Sequence, residues 1–553
     1  GAARHPPPAM FGRPGRTPTN APFQYGTAGF RYPSECLRGG PAVRVGALAA
    51  SLSLCEGAHC AVILTASHNP APDNGFKVLS GSGQMMPVSV EPLATRVANA
   101  QDDEEVWQAL RLLVGHEEEC RGARVLVGRD TRPSGEELQA DVCRGVELLG
   151  EDCVAVCFPG PVTTPEVHFC VAYLNERHLP LDQASLQEAQ QAFRSSLIEG
   201  YKSLCGPAGG QVNSTIDTLV VDASHGVGAM LMQDLVQELS PYIRVELCNT
   251  GGEDSRCLNN GCGAEFCHKE EQWPSSMNSQ ELRDGLKING CSTVVASLDG
   301  DADRVVFLAG DDACPFVLGG DQIAVLFAQF IGQALAEGPP CDLSCALVHT
   351  AYMNGAAKKF IQDMPNPLPT FCTPTGVKFL HAKAVEFDIA VYFEPNGHGT
   401  VHFSGRASEW LKKNSASSSR VAQVAALSGL LNQHTGCAVA DTLAVLGILQ
   451  VTGTSLEQWR ALYTPRSYAL RRVEVTDRSE CTVSEDEQTV LTPAPLADAI
   501  ERILLSESPD VRAFVRPSGT ENVVRVYAEA PDQSTTDRIA ETLCQACEEY
   551  LVH

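Results

Sequence analysis

The sequence predicts an α/β fold built from several domains. At 553 residues the chain is long enough for three or four domains. Short apolar runs rich in β-branched residues alternate with stretches whose apolar residues recur at three and four, which is the helical period. Alternation of this kind is typical of sheets that are buried on both faces. The strand-like runs are 60–66, 123–130, 217–224, 292–300, 345–352 and 388–395.

The last hundred residues follow another pattern. Two strand-like runs, 513–516 and 523–530, precede a helix that begins near Ser534. The apolar residues of that helix fall on one stripe. We therefore expect a smaller α+β domain after three α/β domains with mixed sheets.

Composition excludes some partners. The chain has 41 Lys and Arg against 67 Asp and Glu, a net charge of −26, which repels nucleic acid and anionic membranes. No apolar run is long enough to span a bilayer. Residues 1–22 are rich in Pro, Arg and Gly without the apolar core of a secretory signal, so they predict a flexible leader and a cytoplasmic protein. Nothing in the sequence indicates the oligomeric state.

The 22 cysteines are spread through a large chain, which predicts reduced thiols rather than a disulfide framework. One cluster resembles a zinc site. Its spacing, C-x4-C-x4-C-H, departs from the usual zinc knuckle, so buried thiols are expected instead. The cluster comprises Cys257, Cys262, Cys267 and His268.

The stretch LTASHNPAPDNG, Leu64 to Gly75, places a serine beside a histidine after a buried-type strand. Pro70 disfavours helical backbone at the residue before it, so Ser67 should lie on an irregular loop. Two interpretations are open: a turn that satisfies its own backbone, or a nucleophile or phosphate carrier. His68 is adjacent in sequence and poorly placed as a triad base, and no G-x-S-x-G elbow is present, which disfavours acyl transfer.

The stretch SLDGDADRVVFL carries Asp299, Asp301 and Asp303 at alternate positions. In extended backbone their carboxylates project to one side. An EF-hand is excluded because Arg304 and Gly310 stand where that loop needs Gly and Glu. Three carboxylates with open coordination positions suit Mg²⁺, and a solvated acidic turn is the alternative.

The stretch VYFEPNGHGT follows a buried-type strand, where open α/β sheets bind ligands. Glu394 could accept hydrogen bonds from two sugar hydroxyls, with Asn396 and His398 beside it. A plain turn is an equal alternative for this stretch.

The stretch FVRPSGTENVVRVYAEA places Arg516 and Arg525 on consecutive strands around a small hydroxyl-rich loop. Guanidinium groups, hydroxyls and exposed N–H groups suit a phosphate. A structural turn with surface arginines is the alternative.

Taken in order, YGTAGFR, TASHNP, DGDADR, EPNGHGT and RPSGTENVVRVY resemble the α-D-phosphohexomutase superfamily from Tyr25 onward. The resemblance implies four domains around a central cleft, each contributing one loop. The expected domains are a phosphoserine domain at 23–185, a metal-loop domain at 186–297, a sugar-binding domain at 298–430 and a phosphate-binding domain at 431–553.

The resemblance also implies roles. Ser67 would carry the phosphoryl group as a phosphoserine and, with the three aspartates, hold one Mg²⁺ per active site. His68 would assist catalysis, although the sequence cannot rank it against Arg31 as the group that moves protons. The substrate-binding residues would be Glu394, Asn396, His398, Arg516, Pro517, Ser518, Gly519, Thr520 and Arg525.

The sugar loop resembles that of members that act on N-acetylglucosamine phosphates. The implied reaction interconverts N-acetylglucosamine 6-phosphate and 1-phosphate through a 1,6-bisphosphate and feeds UDP-N-acetylglucosamine synthesis. Alternatives are a mutase for another hexose phosphate, or a catalytically silent sugar-phosphate-binding protein. Pro395 and Asn522 depart from the family pattern without removing an expected ligand.

Overall fold

The computed structural model describes residues 10–114, 122–206, 216–252, 255–277, 292–310, 315–519 and 522–552. The described residues fall into two compact units. The first comprises those within 1–211, 216–317 and 429–444, and the second those within 318–428 and 445–553. Each unit is α/β in character, as the sequence predicts.

The first sheet of the first unit is mixed and carries the loop around Ser67, here called the serine loop, between β2 and β3. Its strand order is β1-β3-β2-β4-β5, with β2 antiparallel to β3 and parallel to β4. The central strand β2, CAVIL, is buried throughout, which explains its uniformly apolar sequence. The strands are β1 (Phe30–Pro33), β2 (Cys60–Leu64), β3 (Asp73–Leu79), β4 (Arg124–Arg129) and β5 (Val154–Cys157).

The second sheet has the order β10-β9-β8-β6-β7 and carries the three aspartates between β8 and β9. Strand β6 is parallel to β7 and β8, and β8 is antiparallel to β9. The strands are β6 (Thr218–Asp222), β7 (Arg244–Cys248), β8 (Thr293–Leu298), β9 (Val305–Ala309) and β10 (Phe316–Leu318).

Helices cover these two sheets. Helix 40–56 is buried along nearly its whole length, and Thr163 caps helix 164–176 by accepting a hydrogen bond from Glu166 N. The helices are Ser34–Leu37, Gly40–Glu56, Glu91–Asn99, Asp103–Val114, Gly135–Glu147, Thr164–Glu176, Gln183–Cys205, Gly228–Leu239 and Ala264–Glu270.

The second unit contains a third mixed sheet, with the order β12-β11-β13-β14. Strands β12 and β13 are parallel to β11, and β14 returns antiparallel to β13 through the sugar-loop sequence. The strands are β11 (Cys345–Thr350), β12 (Thr370–Thr373), β13 (Ile389–Phe393) and β14 (Gly399–Phe403).

The C-terminal sheet is antiparallel, with the order β15-β19-β18, and a two-stranded ribbon of β16 and β17 accompanies it. Helices 494–505 and 533–551 pack on one face, which confirms the predicted α+β domain. The strands are β15 (Ser467–Glu474), β16 (Thr482–Val483), β17 (Val490–Thr492), β18 (Arg512–Pro517) and β19 (Val523–Ala530). Helices from residue 318 onward are Gly320–Glu337, Gly355–Asp363, Val377–Ala384, Gly405–Asn414, Ser419–Leu430, Ala438–Thr452, Leu456–Arg460, Ala494–Leu505 and Gln533–Leu551.

Part of the segment expected as a flexible leader is described by the structure. Residues 1–9 lie outside the described part of the chain, but Phe11 is fully buried and its ring packs edge-on against Trp107. The buried Arg44 donates to Gly12 O at 3.2 Å. The Pro- and Arg-rich composition of this segment did not indicate that Phe11 would be buried.

Two expected domain boundaries also fall inside ordered structure. The boundary between residues 297 and 298 divides the second sheet, since β8 pairs with β9. The boundary between 430 and 431 falls at the start of a segment that belongs to the first unit, where Ala438 N donates to Ala302 O at 3.0 Å and Asn432 Nδ2 donates to Pro165 O at 3.0 Å.

Across the described residues we find no helix that is both long and apolar enough to cross a membrane.

Candidate active site

Ser67 lies just beyond the carboxyl end of β2, in left-handed backbone with φ +52°. Its N–H donates to Thr65 Oγ1 at 2.8 Å, and Thr65 Oγ1 donates to Asp130 Oδ2 at 2.7 Å. The side chain is buried, and Oγ donates to Asp299 Oδ2 at 2.7 Å. A serine hydroxyl therefore meets the acidic loop directly.

The three aspartates of that loop converge. Asp299, Asp301 and Asp303 are buried, and one carboxylate oxygen of each lies within 4.8 Å of the others. Burial, then the charges of Asp303 and Asp301, raise the pKa of Asp299 well above its usual range. Asp301 Oδ1 is buried and has no hydrogen-bond partner among the described residues. Clustered carboxylates with an unused oxygen fit a hard divalent cation such as Mg²⁺.

Lys77, which the sequence did not single out, reaches this cluster from β3. Its buried Nζ donates to Asp301 Oδ2 at 3.0 Å and to Asp303 Oδ2 at 2.9 Å. Burial opposes its charge, but the attraction of Asp301 and Asp303 outweighs that effect and raises the pKa of Lys77. Thr164 Oγ1 also donates to Asp301 Oδ2, at 2.7 Å.

Arg304 follows the acidic loop and lies between its carboxylates and a helix. Its Nε is 3.4 Å from Asp299 Oδ2, and its Nη1 is 3.4 Å from Glu265 Oε2. Burial, then the charge of Arg304, lowers the pKa of His68. Arg31, the other candidate, donates from Nη1 to Asn69 Oδ1 at 3.2 Å.

Arg132 holds the serine loop from behind. Its Nε pairs with Asp130 Oδ2 at 3.0 Å, and Nη1 donates to Pro70 O at 2.6 Å and to Asp73 O at 2.7 Å. Its Nη2 donates to Ser67 O at 3.0 Å. The guanidinium is therefore a structural anchor of the loop.

The remaining candidates belong to the second unit, where the sugar loop is tightly folded. Glu394 N donates to His398 O at 2.8 Å, and Asn396 Oδ1 accepts from His398 N at 3.1 Å. The carboxylate of Glu394 accepts from Gly376 N at 3.0 Å. Pro395 O accepts from Gly320 N at 2.9 Å, so the family departure at Pro395 leaves the loop seated on helix 320–337.

The phosphate loop joins β18 to β19. Ser518 N donates to Val523 O at 2.9 Å, which closes the turn around Gly519, whereas Thr520 lies outside the described residues. Arg516 and Arg525 are direct cross-strand partners, and Arg472 is the partner of Arg525 on the opposite side. Like charges placed opposite one another are unfavourable unless an anion joins them. Pro517 ends β18 beside this row.

Glu487, in the turn between β16 and β17, contacts both Arg516 on β18 and Thr375, which lies just before helix Val377–Ala384. Its Oε1 is 3.2 Å from Arg516 Nη1, and its Oε2 accepts from Thr375 N at 3.1 Å and from Thr375 Oγ1 at 2.5 Å. Arg516 Nε also donates to Tyr352 Oη at 3.1 Å. Burial opposes the charge of Arg516, but Tyr352 and Glu487 outweigh it and raise the pKa of that guanidinium.

Comparison with known proteins places this geometry in a family. A model of phosphoacetylglucosamine mutase AMG1, domain III, matches residues 319–454. Models of phosphoglucomutase/phosphomannomutase match 41–105 and 94–181 for α/β/α domain I and 470–546 for the C-terminal domain. Phosphoacetylglucosamine mutase from Arabidopsis thaliana is 37 % identical over 97 % of this chain and 96 % of its own length.

The chain belongs to the phosphoacetylglucosamine mutase family.

Solved structures agree with that assignment. N-acetylphosphoglucosamine mutase from Aspergillus fumigatus, in complex with GlcNAc-6P and magnesium, is 33 % identical with a TM-score of 0.85 and covers 96 % of each chain. A complex of the Aspergillus fumigatus protein with glucose 1,6-bisphosphate is 32 % identical, also with a TM-score of 0.85, and covers 97 % of each chain. The predicted α/β architecture, with several mixed sheets, is therefore that of the family.

The zinc interpretation of the cysteine cluster is not supported. Among the described residues, the acidic loop is the group of Asp, Glu, His and Cys side chains close enough to share a metal. Cys262 and Cys267 are buried, and burial raises the pKa of both thiols. They behave as core residues of this phosphoacetylglucosamine mutase family member.

The sequence missed the residues that support the site. Lys77 stands in FKVL, a strand in which a lone lysine carries no motif. Glu487 stands in an acidic turn, SEDEQT, that composition alone assigns to the surface. Its φ of +59° in a residue that disfavours left-handed backbone becomes visible only in the structure.

Proposed function

We propose that this chain interconverts N-acetylglucosamine 6-phosphate and N-acetylglucosamine 1-phosphate by passing a phosphoryl group through Ser67. The 2.7 Å hydrogen bond from Ser67 Oγ to Asp299, inside a buried cluster of three carboxylates, carries the proposal. A binding protein needs neither a buried nucleophile nor this cluster, so the catalytically silent alternative is disfavoured.

The reaction has two transfers. In the first, the bond from phosphorus to Ser67 Oγ breaks, a bond to sugar O1 forms, and the O1 proton is released. In the second, the bond from phosphorus to sugar O6 breaks as O6 takes up a proton, and the ester at Ser67 Oγ forms again with loss of the hydroxyl proton, which leaves the 1-phosphate. The bisphosphate complex of the Aspergillus fumigatus relative supports an intermediate phosphorylated at both ends.

Asp299, Asp301 and Asp303 would hold one Mg²⁺ together with an oxygen at Ser67, and the magnesium complex of the same relative supports this. When bound, the cation neutralises charge that develops on the transferring phosphoryl group. Lys77 and Arg304 add two fixed positive charges beside the same carboxylates. We assign His68, which is adjacent to Ser67 in the chain, to orienting the phosphoryl group.

Substrate recognition falls to the second unit. We assign Glu394, Asn396 and His398 to the sugar hydroxyls. A second set would grip the phosphate that is not reacting, and the cross-strand pairing of its two arginines supports that role. This set comprises Arg516, Pro517, Ser518, Gly519, Thr520 and Arg525.

We also propose that the reaction takes place in the cytoplasm and supplies UDP-N-acetylglucosamine synthesis. The described cysteines are free thiols, which fits a reducing compartment.

Phosphorus NMR of the Mg²⁺-loaded protein tests the activity with the 6-phosphates of N-acetylglucosamine, glucosamine and glucose in turn. We expect a new 1-phosphate signal that builds fastest with the N-acetylated sugar. Failure to form that product would refute the proposal, and faster turnover of glucose 6-phosphate would favour a mutase for another hexose.

A further inference from the structure

We propose that Asn259 is a positioning residue for phosphoryl transfer: its side-chain amide holds the backbone of the serine loop so that Ser67 Oγ stays on Asp299. This inference rests on the proposed role of Ser67 as phosphate carrier. Asn259 lies between β7 and β8, outside the motifs that identify the family.

The contacts of the amide are specific. Asn259 Nδ2 donates to Ser67 O at 2.8 Å and to Asn69 O at 3.0 Å. Arg132 Nη2 donates to the same two carbonyls, at 3.0 Å and 2.7 Å. Two donors therefore fix two carbonyl groups on either side of His68.

Fixed carbonyls matter here because Ser67 adopts left-handed backbone, with φ +52°. For a residue with a Cβ this conformation is strained, so it persists only where surrounding contacts hold it. The direction of the Cα–Cβ bond, and with it the position of Oγ, depends on that conformation. Loss of a carbonyl contact would let the loop relax and move Oγ away from Asp299.

Asn259 is in turn tied to the start of the acidic loop. Its N–H donates to Ser224 O at 3.1 Å, and Ser224 Oγ donates to Leu298 O, the residue immediately before Asp299. One short chain of hydrogen bonds thus joins the carbonyl of Ser67 to the backbone that carries the metal-site carboxylate.

Gly300 shows how closely these parts meet. A Cβ added at Gly300 would lie 2.8 Å from Asn259 Nδ2 and 2.9 Å from Ser67 O, closer than a Cβ can approach. The acidic loop, the Asn259 amide and the Ser67 carbonyl therefore share one contact point. Arg132 connects the serine loop to Asp130, directly after β4 in the same sheet, whereas Asn259 connects it to the backbone beside the acidic loop.

Two variants separate this role from a general contribution to stability. Asn259 itself has φ +56°, so Asn259→Gly removes the amide and keeps the backbone conformation accessible. Asn259→Asp keeps the shape but replaces the donor with an oxygen that faces two carbonyl oxygens. The matched control is Asn260→Gly, at an exposed neighbouring position.

We expect Asn259→Gly to lower kcat about tenfold while KM for N-acetylglucosamine 6-phosphate stays within about twofold, because misplaced reacting atoms cost rate rather than binding. Asn259→Asp should lose more. In a second assay, the unphosphorylated variants should accept phosphate from glucose 1,6-bisphosphate more slowly, and phosphorus NMR should show a shifted phosphoserine signal. Asn260→Gly should match the parent protein.

Melting curves serve as the check on folding. A variant with a parental melting midpoint and parental kcat would overturn the inference, as would an equal loss of kcat in Asn260→Gly. If Asn259→Gly melts early, the comparison passes to Asn259→Asp, and parental kcat there overturns the inference. An inactive parent protein would instead count against the proposed function, which keeps the two failures distinct.

Discussion

Lys77 Nζ lies 3.0 Å from Asp301 Oδ2, and both side chains are almost fully buried. A buried ion pair is costly to break, because the remaining charge is left in a medium that solvates it poorly. We therefore expect Lys77 to stabilise the folded protein at a carboxylate cluster that also fits a divalent cation.

Lys77→Met should destabilise the metal-free protein by about 3 kcal/mol, since Asp301 and Asp303 then lose the buried positive partner that they share. Added Mg²⁺ should recover more stability in the variant than in the parent protein. Calorimetric melting with EDTA and with Mg²⁺ measures both effects. Lys269→Met is the control, because Lys269 is largely exposed and pairs with Glu265 instead. Equal melting of Lys77→Met and the parent in EDTA would show that the pair contributes nothing.

Glu487→Gln should tighten the binding of inorganic phosphate. The Glu487 carboxylate lies 3.2 Å from Arg516 Nη1, so it would compete with a phosphate bound there as proposed above. Removing this competing charge should strengthen phosphate binding by about 1 kcal/mol, which corresponds to about a fivefold lower Kd. Isothermal titration checks this, with Glu485→Gln, an exposed carboxylate of the same turn, as control. Weaker phosphate binding in Glu487→Gln would mean that the carboxylate positions Arg516 rather than competing for it.

Asp321→Asn should flatten the dependence of stability on pH. Burial, with a smaller contribution from Glu529, raises the pKa of Asp321 to about 7, against the opposing effects of Asn354 N–H and Arg512. A carboxyl whose folded pKa is raised binds its proton more tightly in the folded state. Its contribution to stability is therefore complete below about pH 4 and is lost as the pH rises through about 7.

The check is the melting midpoint of the second unit measured from about pH 5 to pH 8. The parent protein should lose stability relative to Asp321→Asn as the pH rises, since the amide keeps the hydrogen bond from Asn354 N without acquiring charge. A parent midpoint that rises against the variant over this range would contradict the assigned pKa shift.

The sequence predicted the strands that carry the site because buried central strands such as β2 and β13 are uniformly apolar. The metal-site prediction for the acidic loop was also possible from the sequence, since three carboxylates at alternate positions repel one another unless a cation joins them. Within the expected leader at 1–22, the ring of Phe11 packs on the distant Trp107, a contact that composition does not reveal.

The contacts of Lys77 and Asn259 with the site could not be predicted from local sequence patterns. Lys77 and Asp301 are 224 residues apart in the chain, and Asn259 and Ser67 are 192 apart. Such pairs are set by how sheets and loops pack, and local periodicity carries no information on them. Near the expected boundaries at 298 and 431, antiparallel β9 pairs with β8 and the segment 429–444 belongs to the first unit.

The most direct test of the account is the fate of phosphate at residue 67. Unphosphorylated protein, mixed with isotopically labelled glucose 1,6-bisphosphate and Mg²⁺, is quenched and analysed by peptide mass spectrometry, beside Ser67→Ala. We predict one labelled phosphate on Ser67 that is lost when N-acetylglucosamine 6-phosphate is added, and no turnover by Ser67→Ala. Sustained interconversion of the two sugar phosphates by Ser67→Ala, or label on another residue, would contradict it.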